Sequence, residues 1–202
     1  MLLIPEFKLG LWNAWILILS FLLSFIVLGV LDRLRGQKGL SRPSPPLHEK
    51  ENKLNVISLL IILASAIYSF FLPLKLGTAW FYLGLLVYLL GMIFNFVAST
   101  NLMDTPMDRP ATKGLYRISR NPIYLGTFLI DIGIGIACAS WLYLLLIAAS
   151  IVLQHILIAP EERWCLEKYG DAYREYMNGT PRWIGIPKSK KGKKKSLHIN
   201  IH

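Results

Sequence analysis

Residues 122–159 read PIYLGTFLIDIGIGIACASWLYLLLIAASIVLQHILIA, two apolar runs that meet near Ser140. Each of them, 122–139 and 141–159, is close to the ~20 residues that a helix needs to cross a bilayer. The strands of a membrane β-barrel would instead alternate in polarity over about 10 residues. Because almost nothing separates the two runs, we expect a tight hairpin of two transmembrane helices.

Three further apolar runs precede this hairpin, at 11–31, 54–72 and 79–98. Hydrophobic residues make up 54% of the 202 residues and charged residues 17%, whereas soluble domains carry about 25% charged residues. The first run is too long for the apolar core of a signal peptide and has no small-residue cleavage site. We therefore predict an all-α membrane protein with five transmembrane helices, and we exclude soluble and disordered classes.

The distribution of Lys and Arg predicts the orientation, since short cytoplasmic loops are enriched in both. The Pro-rich loop 32–53, the loop 99–121 and the segment 160–202 carry most of them and would share one side of the membrane. The other side receives Lys8 and Lys75. We expect the N-terminus outside and the C-terminus in the cytoplasm. The two longest polar segments would then meet at the cytoplasmic face, where a water-soluble cofactor is available.

We expect residues 1–159 to form a transmembrane domain. Two further segments follow it. Helically spaced aromatic residues predict a cytoplasmic interfacial helix and lid at 160–187: Tyr169, Tyr173 and Tyr176. We expect residues 188–202 to form a basic, disordered tail, which accounts for much of the net charge of +10. Such a tail suits anionic lipid headgroups. Nucleic acid is not expected, because no other feature supports it.

Several polar residues lie inside the apolar runs, where they are costly and usually face the bundle interior. Asp131 follows Tyr124 by two helical turns, so both share one helix face. Asn95, Gln154 and His155 lie near the expected cytoplasmic ends of their spans. Hydrogen bonding between helices is the simplest interpretation of these groups.

The positions of the two cysteines indicate neither a disulfide nor a metal site. Cys138 lies at a predicted helix end, and Cys165 lies in a polar segment on the opposite side of the membrane. Residues on opposite sides of the membrane are not expected to form a disulfide or to share a metal ion. We therefore predict neither a disulfide nor a metal site.

Two cytoplasmic stretches carry most of the chemistry. In the first, Asn121 and Pro122 suit the cap and first turn of a helix, preceded by Arg120. In the second, Glu161 and Glu162 directly follow an apolar span, where no carboxylate is needed for membrane insertion. Each stretch alone is typical of a helix at a membrane surface. Together, the carboxylates and Arg120 could balance one another or bind a charged ligand.

Taken in order, the two stretches resemble the isoprenylcysteine carboxyl methyltransferase family, and this chain looks like a short prokaryotic relative. The family belongs to a wider group of membrane methyltransferases that includes phospholipid N-methyltransferases. The resemblance covers roughly residues 95–185. The matching residues are Arg120, Pro122, Tyr124, Gly126, Glu161, Glu162, Tyr169, Gly170, Tyr173, Tyr176, Pro181 and Arg182.

The resemblance implies S-adenosylmethionine as cofactor, S-adenosylhomocysteine as product and no metal. The cofactor pocket would be lined by Asn101, Ala111, Tyr116, Asn121, Pro122, Tyr124, Glu161 and Tyr169. Chemistry at the acceptor would involve Glu162, Arg120, His155 and Arg182. A Glu would bind the cofactor's ammonium or hydroxyl groups, and an Arg would meet a carboxylate of the cofactor or substrate. Glu162 or His155 would take the proton from an amine acceptor.

The resemblance implies a lipidated acceptor that enters from the bilayer, first of all an isoprenylcysteine-type carboxylate. Two departures bear on this: Asn121 stands where the family has His, and Leu157 stands near the position of an Arg thought to meet that carboxylate. A phospholipid or another lipid is the alternative acceptor. A nicotinamide-dependent membrane reductase and a non-enzymatic scaffold are further alternatives. The membrane would be the plasma membrane of a prokaryote or the endoplasmic reticulum of a eukaryote.

Overall fold

The computed structural model describes residues 9–36, 40, 42 and 45–185. This part of the chain contains six α-helices and a short 3₁₀ turn at Gly114–Arg117, and no strand. The helices are α1 Trp15–Leu34, α2 Glu49–Ser69, α3 Ala79–Met103, α4 Pro122–Ala137, α5 Trp141–Tyr169 and α6 Asp171–Gly179. The predicted all-helical class is confirmed. The predicted tail at 188–202 and the last two residues of the predicted lid lie outside the described residues.

Four of the helices, α1, α2, α3 and α5, are long and apolar enough to cross a membrane. Helix α4 is apolar but has only 16 residues, about 24 Å of helix against a hydrocarbon core of about 30 Å. The expected fourth span at 122–139 is therefore shorter than a full crossing. Four helices of spanning length indicate an integral membrane protein. The expected count of five spans and the expected external N-terminus stay predictions.

Helices α3 and α4 lie against each other through glycines, the packing that small residues allow in membranes. A Cβ added at Gly133 would lie 2.5 Å from the backbone nitrogen of Tyr88. One added at Gly126 would lie 2.7 Å from the Asn95 Cβ. The Asn95 side chain donates to the Ile123 carbonyl and the Thr127 hydroxyl, each at 3.1 Å. Asn95 thus joins two helices, as expected, and fixes the start of α4 against α3.

The end of the bundle at which α1 begins is closed by backbone hydrogen bonds. The Ala14 N–H donates to the Leu72 carbonyl at 2.9 Å, and the Lys75 N–H donates to the Ala137 carbonyl at 3.0 Å. Buried side chains from five helices, α1 to α5, pack behind this closure, with Tyr143 at 1% exposed. The opposite end holds both polar stretches.

Helix α5 does not end at residue 159, as the sequence predicted, but continues through Pro160 to Tyr169. The polar extension is stable as a helix because its charges have partners. Arg163 donates two hydrogen bonds, of 3.1 and 3.0 Å, to Glu51 of α2. Glu51 also accepts from the His48 N–H at 2.8 Å, so α2 begins at Glu49 and not at the expected residue 54. The helix α5 ends at Gly170, whose φ is 54°.

Candidate functional site

A cavity of about 310 Å³ lies at the polar end of the bundle, a size within the usual range for small-molecule sites. Its walls come from the loop after α3, the start of α4, the end of α5 and helix α6. Six of the eight expected cofactor residues line it: Ala111, Tyr116, Asn121, Tyr124, Glu161 and Tyr169. Arg120 and Glu162 line it as well. The two stretches that are distant in sequence therefore meet in one cavity.

Tyr124 and Glu161 form a direct link between α4 and α5. The Tyr124 hydroxyl donates to Glu161 Oε1 at 2.6 Å, within the range of a short, charge-assisted hydrogen bond. The bond occupies one carboxylate oxygen and orients the other. Glu161 is thus a carboxylate held at the cavity wall without a cationic partner among the described residues.

Glu162, the neighbouring carboxylate, is in a different environment. It is 5% exposed and pairs with Arg120, with 3.2 Å from Arg120 Nη2 to Glu162 Oε1. Arg182 approaches from the other side and bonds both carboxylate oxygens. Two guanidinium groups therefore form ion pairs with the same carboxylate. Glu162 is therefore a charge clamp between α4, α5 and the C-terminal segment.

The segment 180–185 folds back over the start of α4 as a strap. The Arg120 N–H donates to the Pro181 carbonyl at 3.0 Å. The Asn121 amide donates to the Arg182 carbonyl at 3.0 Å, and Ser119 donates to the same carbonyl at 3.2 Å. Asn121 therefore holds the strap in place while bordering the cavity.

Four expected site residues do not line the cavity. Asn101 accepts from the Leu115 N–H at 2.9 Å and so shapes the loop, while Pro122 is buried at the start of α4. Arg182 does not line the cavity itself but donates hydrogen bonds to Glu162, which does. His155 is exposed on α5 and accepts from the Trp183 indole at 2.9 Å. The sequence placed these residues in the right region but did not reveal the direction of their side chains.

Arg42 is a lining residue that sequence reasoning did not single out. It comes from the Pro-rich loop before α2, and its guanidinium donates to the Thr105 carbonyl at 2.8 Å and the Tyr169 hydroxyl at 3.2 Å. No sequence motif indicates a role for Arg42 in the site, because it lies far along the chain from the other lining residues.

Three tyrosines on the cavity wall stay neutral. Burial raises the pKa of Tyr116, although Arg42 opposes that effect. Burial likewise raises the pKa of Tyr173 and of Tyr176. The Tyr176 hydroxyl donates to the Tyr116 carbonyl at 2.7 Å. These groups supply aromatic faces and uncharged hydroxyls, not a nucleophile or base.

The residues present fit S-adenosylmethionine, which carries a carboxylate, an ammonium and a sulfonium. Arg120 Nε is buried without a hydrogen-bond partner in the described part of the chain, so one N–H is available to an anion. Glu161 offers a carboxylate to a cation, and the tyrosine faces suit an adenine ring or a sulfonium. The cavity thus presents both charge signs that this cofactor requires.

Two more cavities meet the first one at Tyr124. A polar cavity of about 210 Å³ lies between the loop at 45–47, α2 and α5, and both Tyr124 and Glu161 border it. A mainly apolar groove of about 390 Å³ extends from Tyr124 between α1, α2, α4 and α5. Asp131 and Gln154 lie along it. Tyr124 therefore borders both polar-walled cavities and the mainly apolar groove.

The fold and these cavities define a helical membrane protein with a polar site at the ends of its spans. The family model for phospholipid methyltransferases matches residues 72–172, which is half of the chain. The chain belongs to this family of integral membrane methyltransferases. No curated protein and no solved structure matches it. The match supports the wider group expected from the sequence but does not single out the isoprenylcysteine branch.

Proposed function

We propose that the chain is an S-adenosylmethionine-dependent methyltransferase whose acceptor is the amine of a membrane lipid. The observation that carries this proposal is that Tyr124 borders all three cavities, two of which also include its partner Glu161. The large polar cavity suits the cofactor, the small one suits the accepting nitrogen and the groove suits the lipid chain. When bound, the cofactor supplies an electrophilic methyl group on a sulfonium.

Positioning is the main contribution expected from the protein, because a displacement needs its reacting atoms close and aligned. The hydrogen bond from Tyr124 to Glu161 and the clamp around Glu162 fix α4, α5 and the strap relative to one another. These contacts hold the boundary between the cavities rigid. In the proposed orientation, the site faces the cytoplasm, where the cofactor is available, and the groove faces the bilayer.

The charge around the small cavity favours an amine. Its lining includes Asn55, Gln154 and Glu161, and contains no Lys, Arg or His among the described residues. A protonated amine is attracted to Glu161, and it must lose a proton before it can attack. Glu161 is placed to accept that proton. Glu162, expected for this role, is already paired with two arginines and does not line the small cavity, and His155 lines neither cavity.

A lipidated carboxylate, the acceptor first expected from the resemblance, is the second candidate. The observation in its favour is the unpartnered Nε of Arg120, which could bind an anionic acceptor from the polar cavity. A carboxylate is ionised at neutral pH and needs no base. Against it, Leu157 lines the small cavity where a cation would be required.

The pH dependence of methyl transfer separates the two acceptors. Purified protein would be given cofactor with a labelled methyl group and either a long-chain amine or an S-prenylated cysteine. With the amine, kcat/KM should rise with pH as the nucleophile loses its proton. Transfer only to the carboxylate, with a rate constant flat above about pH 6, would favour the second candidate.

Calorimetry with S-adenosylhomocysteine tests the methyltransferase assignment independently of the acceptor. We expect binding to the detergent-solubilised protein. A folded protein that gives no binding heat across several temperatures would contradict the proposal and favour the reductase or scaffold alternatives.

A further inference from the structure

One wall of the large polar cavity depends on a loop with little structure of its own. The wall is formed by Leu102 at the end of α3 and by Pro110 and Ala111 of the loop that follows. Between them, residues 105–109 belong to no helix and are half-buried or exposed. The Thr105 hydroxyl donates to a carbonyl one turn earlier, at 2.8 Å, which ties the loop only to its own helix. The position of this wall therefore depends on contacts with other elements.

Two side chains from other elements hold this loop. Arg42, from the segment before α2, donates to the Thr105 carbonyl at 2.8 Å and to the Tyr169 hydroxyl at 3.2 Å. Tyr169, at the end of α5, donates in turn to the Met107 carbonyl at 3.3 Å. Both side chains border the large cavity. They form a bridge, here called the Arg42–Tyr169 bridge, that joins the loop to α5 beside the space for the cofactor.

The chemistry of arginine suits the centre of this bridge. A guanidinium presents its N–H donors in a rigid plane, so one group can bind acceptors on two elements at once. Arg42 is used in this way, with Nη2 directed to the Thr105 carbonyl and Nη1 to the Tyr169 hydroxyl. A lysine carries the same charge on one nitrogen at the end of a flexible stem. It would keep the charge but not the fork.

The bridge begins outside the part of the chain that defines the family. Residues 72–172 supply the loop, the start of α4 and the end of α5, but not Arg42. A residue from the N-terminal part of the chain therefore completes the wall of a cavity whose other parts lie mainly in the matched region. Neither the small cavity nor the apolar groove includes Arg42, so its contacts concern the large cavity alone among these three.

We propose that Arg42 is a positioning residue for the cofactor: by bridging the Thr105 carbonyl and Tyr169, it holds the loop wall of the large cavity in the geometry that binds S-adenosylmethionine. Without the bridge, the cofactor must order residues 105–109 when it binds, and that ordering lowers affinity. The cost falls on cofactor binding and not on the chemical step. This inference rests on the proposed function, since it assumes that the large cavity holds the cofactor.

The test measures S-adenosylhomocysteine binding to the detergent-solubilised full chain by calorimetry, together with the cofactor KM and kcat at saturating long-chain amine. Arg42→Ala should raise both the dissociation constant and this KM by about tenfold, the worth of one or two hydrogen bonds, with little change in kcat. Arg42→Lys should recover only a small part of the loss. A lower melting temperature with an unchanged dissociation constant would show a merely structural role and overturn the inference. Full recovery with lysine would overturn it too, because charge alone would then suffice.

A double-mutant cycle tests whether Arg42 acts through Tyr169. Tyr169→Phe removes the hydroxyl and keeps the ring, so it breaks the bridge without emptying the cavity wall. Because both residues belong to one network, their effects should not add. The double variant Arg42→Ala, Tyr169→Phe should bind S-adenosylhomocysteine about as weakly as Arg42→Ala alone. Losses that add in full would show that the two residues act separately and would contradict the bridge.

Arg35→Ala is the matched control. Arg35 also comes from the N-terminal part and contacts the start of the same loop, with 3.3 Å from its Nη1 to Asp104 Oδ1. The two side chains are 47% and 61% exposed, and neither residue borders the cavity. Exposed ion pairs contribute little, so the dissociation constant should stay unchanged. Equal weakening in Arg35→Ala and Arg42→Ala would contradict a specific role for Arg42.

The inference and the proposed function fail in different ways. If the unmodified protein gives no binding heat with S-adenosylhomocysteine, the proposed function fails, and the inference fails with it. If the unmodified protein binds and Arg42→Ala binds equally well, the cofactor assignment stands and the positioning role of Arg42 is wrong.

Discussion

At the scale of single residues, adjacent carboxylates are assigned to different tasks by their surroundings. Glu162 is paired with Arg120 and Arg182, whereas Glu161 accepts a hydrogen bond from the Tyr124 hydroxyl and has no ion pair with the residues that the structure describes. We expect Glu161→Ala to weaken S-adenosylhomocysteine binding by about tenfold or more, because a hydrogen bond to a charged group is worth about 1.5–3 kcal/mol. Calorimetry on the purified variant measures the dissociation constant.

Glu167→Ala is the control for that experiment. Glu167 lies on the same helix but is exposed and does not border the cavity. Its removal should leave the dissociation constant unchanged, and the melting temperatures of both variants report on folding. If the dissociation constant for S-adenosylhomocysteine is unchanged in Glu161→Ala, Glu161 does not bind the cofactor. Its role would then be limited to binding the acceptor or to joining α4 and α5.

At the scale of secondary-structure elements, the close contact of α3 and α4 sets the position of the site. Gly133→Ala should lower the melting temperature, because its Cβ would meet the Tyr88 backbone at 2.5 Å. Overpacking of this kind costs about 1–3 kcal/mol. Gly29→Ala is the matched control, since it also lies in a helix but has nothing within 4 Å. If the two variants melt alike, the helices are not as close as described.

At the scale of the whole molecule, the membrane orientation is the open prediction. In a Cys165→Ser background, Leu76→Cys and Lys113→Cys place one exposed thiol at each end of the bundle. A membrane-impermeant maleimide should label residue 76 in intact cells and residue 113 only after permeabilisation. Cys138 is fully buried and should not react. The reverse pattern would place the site outside and remove its access to a cytoplasmic cofactor.

The sequence predicted the helical class and much of the cavity for local reasons. The length and composition of apolar runs determine whether a helix can cross a bilayer. The stretches around Arg120 and Glu161 carry recognisable residue types at short spacings. The start of α4 at Pro122 was predicted for the same reason.

The sequence could not predict features that depend on where distant elements meet. The helix α5 continues past residue 159 because Glu51 is positioned to bind Arg163. Arg42 reaches the cavity through the path of a loop, and His155 is directed away from it towards Trp183.

By itself, the sequence determined that this is a helical membrane protein and that its polar chemistry lies in two stretches flanking a hairpin. Only the tertiary structure decided that Glu161 is available while Glu162 is clamped, and that Tyr124 borders both a polar cavity and a mainly apolar groove. The physical reason is that run length and residue type act locally, whereas the availability of a side chain depends on the rotation of each helix and on the groups that neighbouring helices bring against it.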